Sequence, residues 1–169
     1  MATTVEIPME LDSVDPTNAN AFWTRQDCGA GYQGVYRFTN GVFPHSKMVF
    51  KTPIPKNLAG TPAWNLVVQH AGQSTTGQVL LRVEANVLGS GDTPGARTVL
   101  VPNTLFGIGA SGDRNITVLS SSNFDSLLAL ASGKDLRIEF MRVPNAASGD
   151  TAGTNWDLVE PPILRCDVA

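Results

Sequence analysis

The chain has 169 residues, a formal net charge of −3, 42% hydrophobic residues and only 16% charged residues. That length suits one domain able to bury a core without metal or disulfide staples, and the composition excludes a disordered chain. The acidic balance and the scattered Lys and Arg exclude the basic face that nucleic-acid binding needs, and no apolar run is long enough for a membrane-spanning helix. A charge fraction well under the usual value of about 25% fits either a surface rich in Ser, Thr, Asn and Gly or a surface covered by a partner.

Met1 to Pro8 carry neither the basic nor the apolar segment of a secretion signal. Synthesis in a cytoplasm is expected, with Cys28 and Cys166 as free thiols. Neither has a His or Cys neighbour at metal-ligand spacing. Pro8, Asp12, Asp15, Pro16 and Asn18 interrupt residues 1–20, which are expected to form an extended arm ahead of a domain at 21–169. Within the arm, Val5, Ile7, Met9 and Leu11 alternate with Glu6, Pro8 and Glu10, a strand-like period of two. A lone strand is unstable in water, so the arm must pair with an edge. A neighbouring subunit is the expected partner, and pairing within the chain as a first strand is the rival reading. Phe22 and Trp23 follow as the best candidates for aromatic interface anchors.

From Tyr32 onward strands recur. Val35 to Phe38 lead into a turn at Asn40-Gly41. In Lys47 to Lys51, Met48 and Phe50 share one face. Trp64, Leu66 and Val68 do the same in the next strand. Gln78 to Leu88 is the clearest: Val79, Leu81, Val83, Ala85 and Val87 point one way, and Arg82, Glu84 and Asn86 the other. That is the pattern of a sheet with one buried and one wet face. Arg97 to Val101 and Asn115 to Leu119 are shorter candidates, the latter with Ile116 and Val118 expected inward. Phe124, Leu127, Leu128 and Ala131 change to a helical period, so one short helix is expected near 123–131, with Ser122 and Asp125 as a capping box and Gly133 as its stop. Asp135 to Val143 return to alternation, and a last pair of strands runs from Trp156 to Val168 around Pro161-Pro162. About eight strands joined by loops rich in Gly, Pro and Asn predict an all-β fold, an antiparallel sandwich of jelly-roll type.

The search for chemistry returns little. Gly107 to Gly112 spell GxGxxG, but a β-branched run follows where a dinucleotide site needs a helix N-terminus. His45 and His70 stand apart, without the partners a zinc or triad site needs. No Ser sits in a GxSxG elbow. Asp92, Asp113, Asp150 and Asp157 could line loops on one rim, although turn aspartates are the ordinary reading. Asn115-Ile116-Thr117 is a glycosylation sequon by spelling only. Trp64 and Trp156 share their strands with aliphatic residues and are expected in the core. No catalytic, cofactor or metal residues are expected, and the chain reads as a non-enzyme.

One resemblance carries the functional expectation. Met48 and Phe50 run into a Pro-bearing loop, and Trp64 opens a strand ending in a small polar turn. Thr76-Gly77-Gln78-Val79 then opens the long alternating strand, and Gly89-Ser90-Gly91-Asp92 closes it. Ser132 to Phe140 and Arg142 precede a Gly/Asp/Thr loop. In this order, over about 120 residues, the chain resembles jelly-roll structural proteins of tailed-bacteriophage virions. The resemblance implies a capsid decoration (cement) protein, bound to the major capsid protein on the virion surface, or a tail or head-fibre module. It implies frequent trimers and supplies no catalytic residues. The alternative within the same fold is a carbohydrate- or receptor-binding module of a phage tail.

Overall fold

A computed structural model describes residues 3–14, 21–27, 32–40, 46–54, 56, 64–72, 77–93, 95–107, 115–120, 122–129, 133–143, 149–152 and 154–168. They form twelve strands and one helix, in the order β1 (Thr3–Pro8), β2 (Glu10–Val14), β3 (Ala21–Asp27), β4 (Tyr32–Phe38), β5 (Ser46–Pro53), β6 (Trp64–Gly72), β7 (Gln78–Leu88), β8 (Thr98–Gly107), β9 (Asn115–Leu119), α1 (Ser122–Ala129), β10 (Asp135–Arg142), β11 (Trp156–Leu158) and β12 (Ile163–Val168). Every pairing is antiparallel, and two sheets face each other as a sandwich of jelly-roll type. This is the expected fold, with β1, β2 and β3 added to the expected strands.

One sheet has the order β2-β5-β10-β7-β8, a simple ladder. The other forks. On one side, β6 pairs with β12 through Trp64 to Val67 and with β11 through His70 to Gly72. Its opposite side pairs with β9, from Leu66 to His70. Pro161 and Pro162 lie between β11 and β12, and proline cannot extend a ladder. Beyond the fork, β11 leads to β4 and β3, and β12 leads to β1.

The core lies between the sheets. Trp156 and Phe38 pack in one sheet with ring centroids 5.3 Å apart, and Tyr36 meets Phe50 of the other sheet edge-on at 5.2 Å. Phe140 follows Phe50 at 5.9 Å. Val79, Leu81, Val83 and Ala85 are all buried in this core, as their alternation requires, while Arg82 and Glu84 are half-exposed on the outer face. Trp64 and Trp156 are both core residues. The short helix is present, with Phe124 buried and Leu127 packed against the core. Asp125 Oδ1 accepts a hydrogen bond from the Trp64 backbone N–H at 2.9 Å, so this carboxylate ties α1 to β6.

The expectation of an extended arm over residues 1–20 needs correction. β1 pairs with β12 of the same chain, from Thr3↔Val168 to Pro8↔Ile163, and β2 pairs with β5. Pro8 and Met9 carry the chain from one sheet to the other. Met9 N–H donates to Pro162 O at 3.0 Å, and Thr52 Oγ1 donates to Pro8 O at 3.2 Å. The alternating apolar residues explain why: Met9 is buried in the common core, and Ile7 and Leu11 pack against it. The rival reading, a first strand within the chain, describes residues 3–14.

The faces of β9 also differ from expectation. Ile116 is 67% exposed and Val118 53% exposed, while Thr117 and Leu119 turn inward. Thr117 is held there by a 2.9 Å hydrogen bond with His70 Nε2, and Leu119 packs on the core.

Candidate functional site

Both outer faces carry ion pairs, Arg37 with Asp157 and Arg165 with Glu6 on the forked sheet. On the β2-β5-β10-β7-β8 sheet, Lys47, Lys51, Arg82, Arg97 and Arg137 interleave with Glu10, Asp12, Glu84 and Glu139. Glu139 and Glu84 stand directly opposite on β10 and β7, an arrangement that repels. The flanking cations offset it: Arg97 lies 3.1 Å from Glu139, and Arg82 lies 2.6 Å from Glu84. A bulge in β2 between Leu11 and Ser13 turns Asp12 toward Lys51, at 3.1 Å, and Arg137, at 3.5 Å. Most of these charges are paired across the face, among the buried side chains of Val49, Met141 and Leu80.

The outer face of the forked sheet carries an uncharged strip. Ile163, Val67 and Val118 sit in register across β12, β6 and β9, and Ile116 follows two residues along β9. Side chains opposite one another on a sheet face lie within contact range, so the four make one apolar strip. Ile116 and Val118 are exposed on β9, Ile163 is partly buried and Val67 is buried. A contiguous exposed apolar patch is the usual mark of a docking surface.

A second exposed apolar feature lies on the edge strand β3. Trp23 is 55% exposed and Phe22 38% exposed. The two point to opposite faces, because Trp23 pairs with Tyr36 and Phe22 with Arg37. The Trp23 indole lies flush against Gly34, where an added Cβ would meet it at 3.3 Å. Of the candidate interface residues, Phe22 and Trp23 are therefore exposed, whereas Met9 is in the core. Val5, Ile7 and Leu11 are partly buried on β1 and β2 within the same chain.

The polar residues singled out for chemistry resolve into structural roles. His70 is buried between Trp156 and Thr117. The Trp156 indole N–H can only donate, and it points at His70 Nδ1 at 3.3 Å. The proton therefore sits on Nε2, which donates to Thr117 Oγ1, and burial pushes this imidazole below its ordinary value. Asp157 is fully buried and takes both arms of a bidentate pair from Arg37, at 2.9 and 2.8 Å, which holds the guanidinium above its ordinary range. Asp150 is gripped in the same forked way by Arg142, at 3.1 and 3.0 Å. Arg142 is itself fully buried and also donates to the carbonyls of Thr154 and Ala152 and to Asn40 Oδ1. Asp92 closes a turn by accepting from Gly89 N–H at 2.6 Å. Asp92, Asp150 and Asp157 thus share no rim. Among the described residues, no three His, Cys, Asp or Glu come together in a metal-binding group. His45, Cys28, Asp113 and residues 108–112 of the GxGxxG spelling lie outside the described residues.

The sequence missed the β9 strip because both faces of Asn-Ile-Thr-Val-Leu carry apolar residues, so apolarity alone picks the wrong face. The signal that bore on it was His70, whose buried imidazole needs a hydroxyl partner such as Thr117.

The geometry defines an antiparallel β-sandwich with exposed apolar surface on β9 and β3. No model of a known protein family matches the chain, and no curated protein matches it. Among solved structures, a family 29 carbohydrate-binding module from Piromyces equi aligns with 96% of this chain and 90% of its own, at 9% identity and a TM-score of 0.45. A carbohydrate-binding module, TmCBM27, described for specific mannan recognition, aligns with 98% of this chain and 95% of its own, at 10% identity and TM-score 0.39. A structure of infectious bursal disease virus, Gx strain, aligns with 99% of this chain at 10% identity and TM-score 0.40, and this chain spans about a third (32%) of that longer one. None of these likenesses bears on what this chain does.

Proposed function

We propose that the chain is a non-enzymatic structural protein of a virion, a capsid decoration protein that docks on the major capsid protein and stabilises its lattice. The observation that carries this reading is the exposed apolar pair Ile116 and Val118 on β9, which continues an apolar row through buried Val67 to Ile163. Phe22 and Trp23 on β3 offer a second contact to a neighbouring subunit, with a trimer the expected oligomer. The sequence resemblance to virion jelly-roll proteins supplies the partner.

The test has two arms. Quantitative gels of purified particles should count hundreds of copies per particle. Ile116→Arg with Val118→Arg should leave the melting temperature of the free protein unchanged and abolish rebinding to stripped particles. A handful of copies would move the protein to the tail, and normal rebinding of the double variant would remove the strip from the interface.

A further inference from the structure

We propose that His70 is an acid switch for β9: on gaining a proton it frees the strand that carries Ile116 and Val118 from the sandwich. The switch itself stands on the geometry around the ring, and its consequence for docking rests on the role proposed for that pair. On the inner face of the forked sheet a row of side chains runs from the free margin to the centre. It comprises Thr117 on β9, His70 on β6, Trp156 on β11 and Phe38 on β4. His70 is 3% exposed and joins its two neighbours in the row. Nε2 bonds Thr117 Oγ1 at 2.9 Å, and Nδ1 faces Trp156 Nε1 at 3.3 Å.

Only the neutral ring satisfies this arrangement. Nδ1 must accept from the indole N–H, which can only donate. The imidazolium carries a proton on both nitrogens, so donor would face donor across 3.3 Å. Burial makes the new charge costly unless it is paired, and no partner faces it. On β11, Asp157 points to the opposite face and is taken by Arg37, and Glu160 bonds Gln69 on that same face. β9 brings Asn115 and Thr117, neither of which titrates. Of the described residues, the facing sheet turns one charged group inward, Arg142 of β10, and Asp150 already neutralises it.

β9 is the side on which the ring can reach water. Trp156 is 1% exposed with the core around it, whereas Thr117 is half-exposed at the sheet margin. All of the ladder that holds β9 is made with β6, from Leu66↔Leu119 to His70↔Asn115. Its other edge is unpaired, so the strand can lift away without breaking any other pairing. Thr117 lies between Ile116 and Val118, so the ring that acid displaces is the one that tethers the docking pair. Local openings of this kind occur below the free energy of global unfolding. The direction follows from burial, which holds His70 below its ordinary 6.5 until β9 opens. The open form then binds the extra proton, and opening grows by up to about tenfold per pH unit below 6.5.

Native-state hydrogen exchange on the full chain, corrected for intrinsic rates, tests this between about pH 7.5 and about pH 5. Amides of residues 115–119 should exchange through an opening that is insensitive to low urea and well below the protection of β7 and β10. That opening should grow about tenfold on acidification. His70→Gln should abolish the growth, because its amide can accept from the indole and donate to Thr117 without taking a proton. His45 remains in that variant as an internal control. Should His70→Gln misfold, the parent decides: the His70 ring resonances must titrate with the midpoint of the β9 opening. Bound to particles, the parent should be released at about pH 5 and His70→Gln retained. Exchange of residues 115–119 only through global unfolding, an opening that does not respond to pH, a mismatched midpoint, or the same response in His70→Gln would each overturn the switch. A parent that fails to bind particles even at about pH 7.5 overturns the docking role instead, and the exchange result still decides the switch.

Discussion

Replacing Arg142 with leucine probes the buried pair that fastens Asp150, Ala152 and Thr154 to the sandwich. The Asp150 side chain is 1% exposed and its two oxygens are held by Arg142, while its Oδ2 also accepts from Leu80 N–H at 3.2 Å. Removing the guanidinium leaves a desolvated carboxylate without its countercharge, and the carbonyls of Ala152 and Thr154 without these donors. Breaking a buried pair from one side costs about 3–5 kcal/mol, a fifth or more of a total domain stability of roughly 5–15 kcal/mol. At about 2–4 °C per kcal/mol for a chain of this size, the melting temperature should fall by about 6–20 °C. Urea unfolding should show the same loss with an unchanged slope. Arg142→Leu combined with Asp150→Leu should recover part of the loss, since the uncompensated charge is gone, and the cycle should yield a coupling of more than about 1 kcal/mol. A single variant within 1 kcal/mol of the parent, or a double variant that loses the plain sum of both singles, would refute the reasoning.

Leu81→Asp should prevent folding, because Leu81 is buried in the core and an unpaired buried carboxylate costs several kcal/mol. Arg82→Ala, on the half-exposed outer face, should change stability by less than about 0.5–1 kcal/mol, and circular dichroism melts of the two variants check the assigned faces. Deleting residues 2–11 removes β1, buried Met9 and the first two residues of β2. Burial at about 1.5–3 kcal/mol per large apolar side chain makes the truncated protein insoluble or strongly destabilised, and a near-parental melting temperature would return the segment to the role of a detachable arm. The pH dependence should carry the imprint of His70. Its folded value lies below the unfolded 6.5, so the unfolded chain binds the extra proton and stability falls as the pH drops below about 6.5. His70→Gln should flatten denaturant-derived stability between about pH 7.5 and 5.5, and an unchanged slope would remove His70 as its source.

What the sequence disclosed follows from where each strand sits. β7 was legible because one face is core and the other wet, so the period of two shows through. The Phe124 and Leu127 spacing revealed α1 for the same reason, since only one side of the helix meets the core. β3 was illegible because it is an edge strand with Ala21 and Trp23 on one face and Phe22 on the other, which erases the period. The alternation of Val5 to Leu11 was plain, but its partner was not. Glu6 bonds to Arg165 across 159 residues, and no local pattern encodes a pairing that distant.

The pairing of β1 with β12 brings Thr3 and Val168 opposite each other, and residues opposite in an antiparallel pair lie about 4.5–5.5 Å apart at Cα. A short linker from Val168 to Thr3 should therefore close this strand pair with little distortion, and an opening in the exposed turn at Ser90 and Gly91 would yield a circularly permuted sandwich. The same proximity suits the sandwich to being carried as cargo on a loop of another protein, with the host chain entering and leaving through one doorway. Displayed that way, the apolar residues of β9 would travel with the sandwich as a single transplantable module.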